Sequence, residues 1–163
     1  MKKMGMVETM EFNYRKVSEK DRDLLEKMYV SDVEKNQKRA EQFANDLIFR
    51  LRTIVCISGD KVLGTVSWDR RGGTDDGVIE LLALGVSNNH RRKGIAKELI
   101  LTLINEAKRF FSKEGYKLRI IYLFMEKSNE IAQNFYKYMD FHKVTEIKGF
   151  LPQDDGVMWI KYI

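Results

Sequence analysis

The chain of 163 residues is long enough for one domain with a hydrophobic core, and its 44% hydrophobic and 33% charged residues are typical of a globular protein. Its net charge of +5 comes from cations spread along the chain beside acidic residues, which argues against nucleic-acid binding. One cysteine excludes an internal disulfide, two histidines give no metal-ligand spacing, and no apolar run suits a membrane span or a signal peptide, so we expect a cytoplasmic protein without a metal or a membrane partner.

The first half of the chain predicts a short strand, helices and a hairpin, after a loose leader over residues 1–9. Ser18, with Asp21 three residues later, has the form of a capping box, so the first helix is expected to start there. The other predicted elements are strands at residues 11–17, 53–57 and 62–68 and a helical segment at residues 32–51. The last two strands are joined by Ser-Gly-Asp-Lys as a hairpin, and we expect Cys56 to be buried there.

The second half alternates strands with helices. Predicted strands are residues 78–86, 118–125, 141–147 and 157–162, and predicted helices are residues 93–112 and 128–139. In the last helix, Ile131, Ala132, Phe135 and Met139 are expected to point inward, and the last two strands close around residues 149–156. The helix predicted at residues 93–112 must join two parallel strands. The sequence therefore predicts a mixed α/β fold in a single domain, with a central, mostly antiparallel sheet that has one parallel crossover and is flanked by about four helices.

A basic turn joins the strand that ends at Val86 to the following helix. Gly94 and Ala96 keep side-chain bulk away from the first helical amides, so several N–H groups can point at one anion, helped by the positive end of the helix dipole. Three cations stand in the same turn: Arg91, Arg92 and Lys93. The turn is predicted to hold a phosphate or pyrophosphate, and the alternative is a solvated helix N-terminus.

The form Arg91-x-x-Gly94-x-Ala96 resembles the Arg/Gln-x-x-Gly-x-Gly/Ala signature of the GCN5-related N-acetyltransferases, the GNAT superfamily. In that family the loop grips the pyrophosphate of acetyl-coenzyme A, so the resemblance implies acetyl-CoA as cosubstrate. The family's preceding strand has a bulge that opens a gap for the pantetheine arm, and Gly85 suggests a bulge or a close backbone approach here, unless the strand simply ends early. The implied cofactor-binding residues are Leu84, Gly85, Val86, Arg91, Arg92, Lys93, Gly94, Ile95, Ala96, Asn129 and Tyr136.

A second segment, residues 128–141, resembles the family's Asn-x-x-Ala-x-x-x-Tyr-x-x-x-Gly-Phe pattern. It matches at Asn129, Ala132, Tyr136 and Phe141, while Asp140 replaces the glycine and also tolerates a left-handed helix end. The resemblance makes Tyr136 the proton donor to the leaving thiolate. It makes Asn129 a hydrogen-bond partner of the pantetheine or of the strand end. Without the resemblance, these aromatic residues would be assigned to the core.

Glu80 is a lone acid in an apolar strand, and its spacing to Arg91 resembles that of the glutamate general base in histone-type GNAT enzymes. A carboxylate whose pKa is raised by a partly apolar site could take a proton from an ammonium acceptor, directly or through water. The alternative is a solvent-facing strand residue. A backbone N–H of the bulge, for example that of Val86, would polarise the acetyl carbonyl.

The acceptor is predicted from a closer resemblance to the N-terminal (Nα) protein acetyltransferases. Their loop has the form of Arg91-Arg92-Lys93-Gly94-Ile95-Ala96, and residues 148–158 resemble their Lys-Gly-Tyr-Tyr-x-x-Gly-x-Asp-Ala-x-x-Met hairpin. Phe150 and Leu151 depart from it, because they replace tyrosines that can hydrogen-bond a peptide. The prediction is an N-acetyltransferase for a protein N-terminus, working as a monomer or homodimer. The alternatives are a polyamine or other small-amine acetyltransferase, a non-catalytic acetyl-CoA sensor and a basic nucleic-acid-binding module.

Overall fold

The structure is a computed structural model that describes residues 10–163, so the leader predicted for residues 1–9 lies outside the described part. The strands are β1 Asn13–Lys16, β2 Arg52–Ser58, β3 Lys61–Arg71, β4 Val78–Val86, β5 Ile120–Glu126, β6 His142–Leu151 and β7 Asp154–Tyr162. The helices are α1 Arg22–Asp32, α2 Gln37–Asn45, α3 Ile95–Ser112 and α4 Glu130–Tyr138. The strands form one sheet in the order β1-β2-β3-β4-β5-β7-β6. Only the β4–β5 pair is parallel among the described strands, which confirms the predicted mixed fold.

Helices cover the two faces of this sheet unequally. On one face, α3 and α4 pack across strands β2 to β5 and β7 in the larger core. On the other face, α1 and α2 cover only the β2–β3 region, in a smaller core around Leu25, Ala44 and Val55. The second face of β4 and β5 is therefore left without a helix in residues 10–163. No helix in this range is long and apolar enough to cross a membrane. Cys56 is buried as predicted.

Several predicted boundaries differ from the observed ones for identifiable reasons. The helical segment predicted at residues 32–51 is a true helix only from Gln37, because Asn36 caps it by accepting a hydrogen bond from the Arg39 amide at 3.1 Å. It ends in a π-helical turn, Asp46–Arg50. The predicted loop at residues 149–156 is mostly strand, since β6 runs to Leu151 and β7 starts at Asp154.

One residue of α4 was assigned to the wrong helix face. Ile131 is 85% exposed instead of inward. Tyr136 is on the buried face of α4, and Ala132, four residues earlier, shares that face. Ile131 is the residue before Ala132 and is therefore rotated about 100° away from it.

Asp21 connects the start of the first helix to β1. Its buried carboxylate accepts hydrogen bonds from the Arg15 guanidinium at 2.8 and 2.7 Å and from the Ser18 backbone N–H at 2.8 Å. The latter is the predicted capping-box contact. The hydrogen bonds from Arg15 hold the pKa of Asp21 below its usual value.

Asp21→Asn is expected to lower the free energy of unfolding at pH 7 by about 1–3 kcal/mol, because a buried charge-assisted network loses its acceptor. The folded-state pKa of Asp21 is depressed, so its stabilisation is complete above the unfolded pKa of about 3.9 and is lost as the pH falls through the folded value. Denaturant titrations at pH 7 and pH 3 measure both effects. The exposed Asp23→Asn is the matched control, and equal losses in the two variants would contradict the assignment.

Candidate active site

The parallel pair β4–β5 opens into a gap after three residue pairs. β4 follows β3 along its whole length, whereas it pairs with β5 only at Val78–Ile120, Ile79–Ile121 and Glu80–Tyr122. Beyond this point β5 continues beside β7 as far as Glu126. The backbone of β4 after Glu80 therefore has no strand partner on its β5 side, and an extended ligand could hydrogen-bond to it.

A β-bulge in β4 lies next to the start of this gap. Consecutive residues of β3 pair with Leu81 and Ala83, which leaves Leu82 as the extra residue. The bulge predicted at Gly85 is therefore wrong by three positions. Gly85 pairs in regular register with Thr65.

The extra residue reverses which side chains of β4 face the large core. Before the bulge the core contains Ile79 and Leu81, and after it Leu84 and Val86 pack against the same core. Glu80 lies between two inward residues and therefore faces the opposite side of the sheet, the one without a helix. The bulge thus puts the acid and the glycine-containing turn on different sides of the gap.

The turn before α3 has the backbone geometry of an anion-binding loop. Gly94, the N-cap of α3, has φ +79°, and Arg92 has φ +62°, so two left-handed residues alternate within three positions. No atom lies within 4 Å of a Cβ built on Gly94, so its glycine is needed for backbone conformation and not for space. No side chain among residues 10–163 caps this helix, so its first amides are free to bind a ligand. The conformation also explains why α3 starts at Ile95 and not at Lys93.

A cleft of about 690 Å³ runs from this turn to α4. Its lining contains every predicted cofactor-binding residue except Lys93, which is exposed. Six further lining residues were not predicted to bind the cofactor: His90, Lys97, Ile131, Ala132, Phe135 and Tyr138. Helical spacing could have found the α4 residues, because Ile131, Phe135 and Tyr138 occur at i, i+4 and i+7. Within residues 10–163, no group of three or more His, Cys, Asp or Glu side chains could hold a metal ion.

Tyr136 lines the inner part of this cleft. Its side chain is 6% exposed, and its ring contacts Phe135 and Phe141 with centroid distances of 5.3 Å for each pair. Burial raises the pKa of Tyr136, which keeps the phenol protonated at neutral pH. Its hydroxyl makes no hydrogen bond within the part of the chain that the structure describes. A protonated phenol without an internal partner can donate to a thiolate in the cleft.

The segment around Tyr136 follows the predicted pattern, and Asn129 has one role in addition. The Asn129 side chain accepts a hydrogen bond from the Ala132 amide at 3.1 Å and so caps α4, while its backbone N–H donates to the Glu126 carbonyl at the end of β5 at 3.1 Å. Its amide NH2 group remains available to a ligand in the cleft. Asp140 adopts φ +61°, the left-handed conformation expected of the residue that replaces the family's glycine.

Glu80 lies at the apex of the gap but has polar partners. Its Oε2 accepts a hydrogen bond from Arg71 Nε at 2.7 Å, with Arg71 Nη2 at 2.6 Å, and one from the Tyr122 hydroxyl at 3.3 Å. The expected apolar surroundings are therefore wrong, because the last residue of β3 supplies a cation. Glu80 is not part of the cleft lining, and its role as a base stays a prediction.

An aromatic row extends from Glu80 along the uncovered face. Tyr122 packs against Phe124 at 5.9 Å, and Phe124 against Phe150 at 4.7 Å, measured between ring centroids. Gly156 on β7 makes room for Phe150, since a Cβ there would stand 2.7 Å from Phe150 Cδ1. We call Tyr122, Phe124 and Phe150 the aromatic row.

The sequence profile of the acetyltransferase (GNAT) family matches residues 19–141. The chain belongs to the GNAT acetyltransferase family. The resemblance found in the loop and in α4 is thereby confirmed at the level of the family and its fold. Comparison with curated proteins gives no match.

Solved GNAT structures share this fold over almost the whole chain. Ribosomal-protein-S18-alanine N-acetyltransferase from Escherichia coli has a TM-score of 0.72 at 16% identity, covering 94% of this chain and 94% of that one. NAA60 from Arabidopsis thaliana in complex with acetyl-CoA has a TM-score of 0.69 at 20% identity, covering 94% and 99%. Ard1 from Thermoplasma volcanium has a TM-score of 0.72 at 15% identity, covering 93% and 97%. At these identities the similarity concerns the fold.

Proposed function

We propose that this GNAT protein transfers the acetyl group of acetyl-CoA to the α-amine of a protein or peptide N-terminus, by direct transfer in a ternary complex. The observation that carries the proposal is the gap between β4 and β5. On one side of it lies the cleft with the phosphate-binding turn and Tyr136, and on the other lie Glu80 and the aromatic row. A thioester held in such a gap is open to a nucleophile from the opposite face.

The cofactor half of the proposal rests on the free amides and charge of the turn. The first amides of α3 and the cations Arg91 and Arg92 would bind the diphosphate. The pantetheine arm would run along the unpaired edge of β4 toward Leu82, like an added strand. The acetyl group would then lie near the bulge, where a backbone N–H can polarise its carbonyl.

The acceptor half rests on the chemistry of the uncovered face. The aromatic row offers an apolar wall for a peptide, next to a single carboxylate. A polyamine would need several free carboxylates, but two acids of the described surface have other partners: Asp76 accepts from the Gly73 amide at 2.6 Å, and Glu34 pairs with Arg39 at 2.9 Å. These contacts favour an acceptor with one amine and an apolar neighbouring residue.

In the proposed reaction the amine loses a proton, to Glu80 or to water, and attacks the acetyl carbonyl. The new C–N bond forms as the C–S bond breaks, and the phenol of Tyr136 donates its proton to the leaving thiolate. The phenolate is then reprotonated from solvent. No acyl-enzyme is needed, because the ternary complex already brings the two substrates together.

The test is acetyl transfer from labelled acetyl-CoA to three acceptors side by side. These are a lysine-free peptide with a free N-terminus, the same peptide with a blocked N-terminus, and spermidine. Label in the first peptide and none in its blocked form is the expected result. Labelling of spermidine alone would contradict the peptide acceptor, and no transfer to any amine, with tight acetyl-CoA binding, would indicate a sensor.

Gly156→Ala is expected to raise the acceptor KM several-fold without changing the KM for acetyl-CoA. The added Cβ would stand 2.7 Å from Phe150 Cδ1, so this exposed ring must leave its place beside Phe124. Steady-state kinetics with either substrate varied measures the effect. Phe150→Ala removes the same wall without strain at Gly156 and should give the same change. A normal acceptor KM in both variants would show that the aromatic row does not contact the acceptor.

A further inference from the structure

The ion pair between Arg71 and Glu80 occupies the apex of the gap, on the face where the acceptor would arrive. Arg71 is the last residue of β3, and its side chain is 41% exposed, whereas that of Glu80 is 18% exposed. Both nitrogen contacts of Arg71 and the hydroxyl of Tyr122 are directed to the same oxygen, Oε2. Within residues 10–163 the other oxygen, Oε1, has no hydrogen-bond partner. The carboxylate is thus fixed by one oxygen and open at the other.

We propose that Arg71 is a positioning residue that keeps the bound acceptor amine in its neutral, nucleophilic form. The proposal rests on the proposed acetyl transfer to an amine and holds for any primary amine acceptor. Arg71 has two effects through Glu80: it orients Oε1 toward the amine, and it cancels the negative charge that would otherwise stabilise an ammonium.

The sign of the second effect follows from electrostatics. A lone carboxylate beside an amine favours the ammonium form and raises the amine's pKa, which removes the electron pair needed for attack. A carboxylate already paired with a guanidinium has little net charge. An ammonium at Oε1 is attracted by the oxygen and repelled by the nearby guanidinium, so the pair stabilises the ammonium form less than a lone carboxylate does. The proton then leaves more readily, through Oε1 or through water to solvent. A half-buried carboxylate would also be costly to leave unpaired between turnovers, and Arg71 prevents this.

Other charged or titratable groups around Glu80 are few. Asp69, on β3, is the cross-strand partner of Glu80 and stands 3.9 Å from Arg71, but Arg52 stands 3.8 Å from its other oxygen, so its charge is already offset by a second cation. Tyr122, on β5, has its pKa raised mainly by burial, so it stays a neutral donor to Oε2. From β3, β4 and β5 the pair Arg71–Glu80 therefore sets the charge that an amine meets at the apex.

The experiment measures the pH dependence of kcat, with both substrates saturating, for the acceptor that the wild-type protein acetylates best, because kcat reports the ionisable groups of the bound complex. In Arg71→Gln, the acidic limb of the profile should move to higher pH by about one unit. Glu80→Gln should move it in the opposite direction, because Arg71 is then an unpaired cation beside the amine. Arg71→Lys should restore most of the wild-type profile. A merely structural role would lower activity at all pH values and would not move the two limbs in opposite directions.

Arg70→Gln is the matched control, because it removes the same charge from the adjacent residue. Arg70 donates to Thr74 and makes neither a hydrogen bond nor an ion pair with Glu80. An unmoved limb in Arg71→Gln, a shift to lower pH, or an equal shift in Arg70→Gln would overturn the proposal. Wild-type activity on spermidine but on no peptide would contradict the proposed acceptor while the pH series remains decisive. A wild-type protein inactive on every amine would overturn both.

Discussion

Tyr136→Phe should lower kcat about 100-fold or more while leaving the affinity for acetyl-CoA nearly unchanged. The substitution removes only the hydroxyl, so the ring keeps its contacts with Phe135 and Phe141. Without the phenol, the coenzyme A thiolate must leave without its proton donor, and the barrier of that step rises. Steady-state turnover measures the loss, and calorimetric titration with acetyl-CoA measures the retained binding.

Tyr138→Phe is the matched control for this variant. Tyr138 also lies on α4 and lines the same cleft, but it is exposed and stacks near Lys97 at the outer wall. Loss of its hydroxyl should leave kcat within a factor of about two of the wild type. Equal losses of kcat in both variants would mean that the polarity of the cleft matters and that Tyr136 has no special role. Wild-type kcat in Tyr136→Phe would show that Tyr136 is not the proton donor.

Local sequence was sufficient for the features that depend on neighbouring residues. Ser18 and Asp21 stand three residues apart, and the predicted contact forms because both groups belong to one turn. The free amides of the turn were predicted for the same reason, although Gly94 was expected to remove side-chain bulk and instead supplies a left-handed φ of +79°. The parallel β4–β5 pair followed from the length of the connection between the strands.

Features that depend on pairing between distant segments were not predictable in this way. The bulge at Leu82 contains no glycine that could have indicated it. It is determined by the register of β4 against β3, and not by a conformational preference of Leu82. Arg71 contacts Glu80 because the same register of β4 against β3 places Glu80 beside the end of β3. Tyr122 contacts Glu80 because the two residues are paired between the parallel strands β4 and β5. The charge environment of the candidate base thus arises from three strands, and the sequence around Glu80 contains only one of them.

Gly94→Val should weaken acetyl-CoA binding at least tenfold. A β-branched residue at φ +79° is strained, so the turn must adopt another conformation, and the amides of the first turn of α3 no longer converge on one anion. The strain also costs about 1–2 kcal/mol of folding free energy. Titration with acetyl-CoA, together with denaturant unfolding of the same samples, separates the two effects.

The chain provides a closely matched control at the other end of the same helix. Gly115 follows α3 with φ +78°, is exposed, and also has no atom within 4 Å of an added Cβ. Gly115→Val therefore carries the same backbone strain and the same expected loss of stability, roughly 27 Å away from the turn along an 18-residue helix. Its affinity for acetyl-CoA should be that of the wild type. If both variants lost stability equally and neither lost affinity, the amides at Gly94 would not be the diphosphate-binding groups, and the cofactor would have to be held by the α4 wall of the cleft.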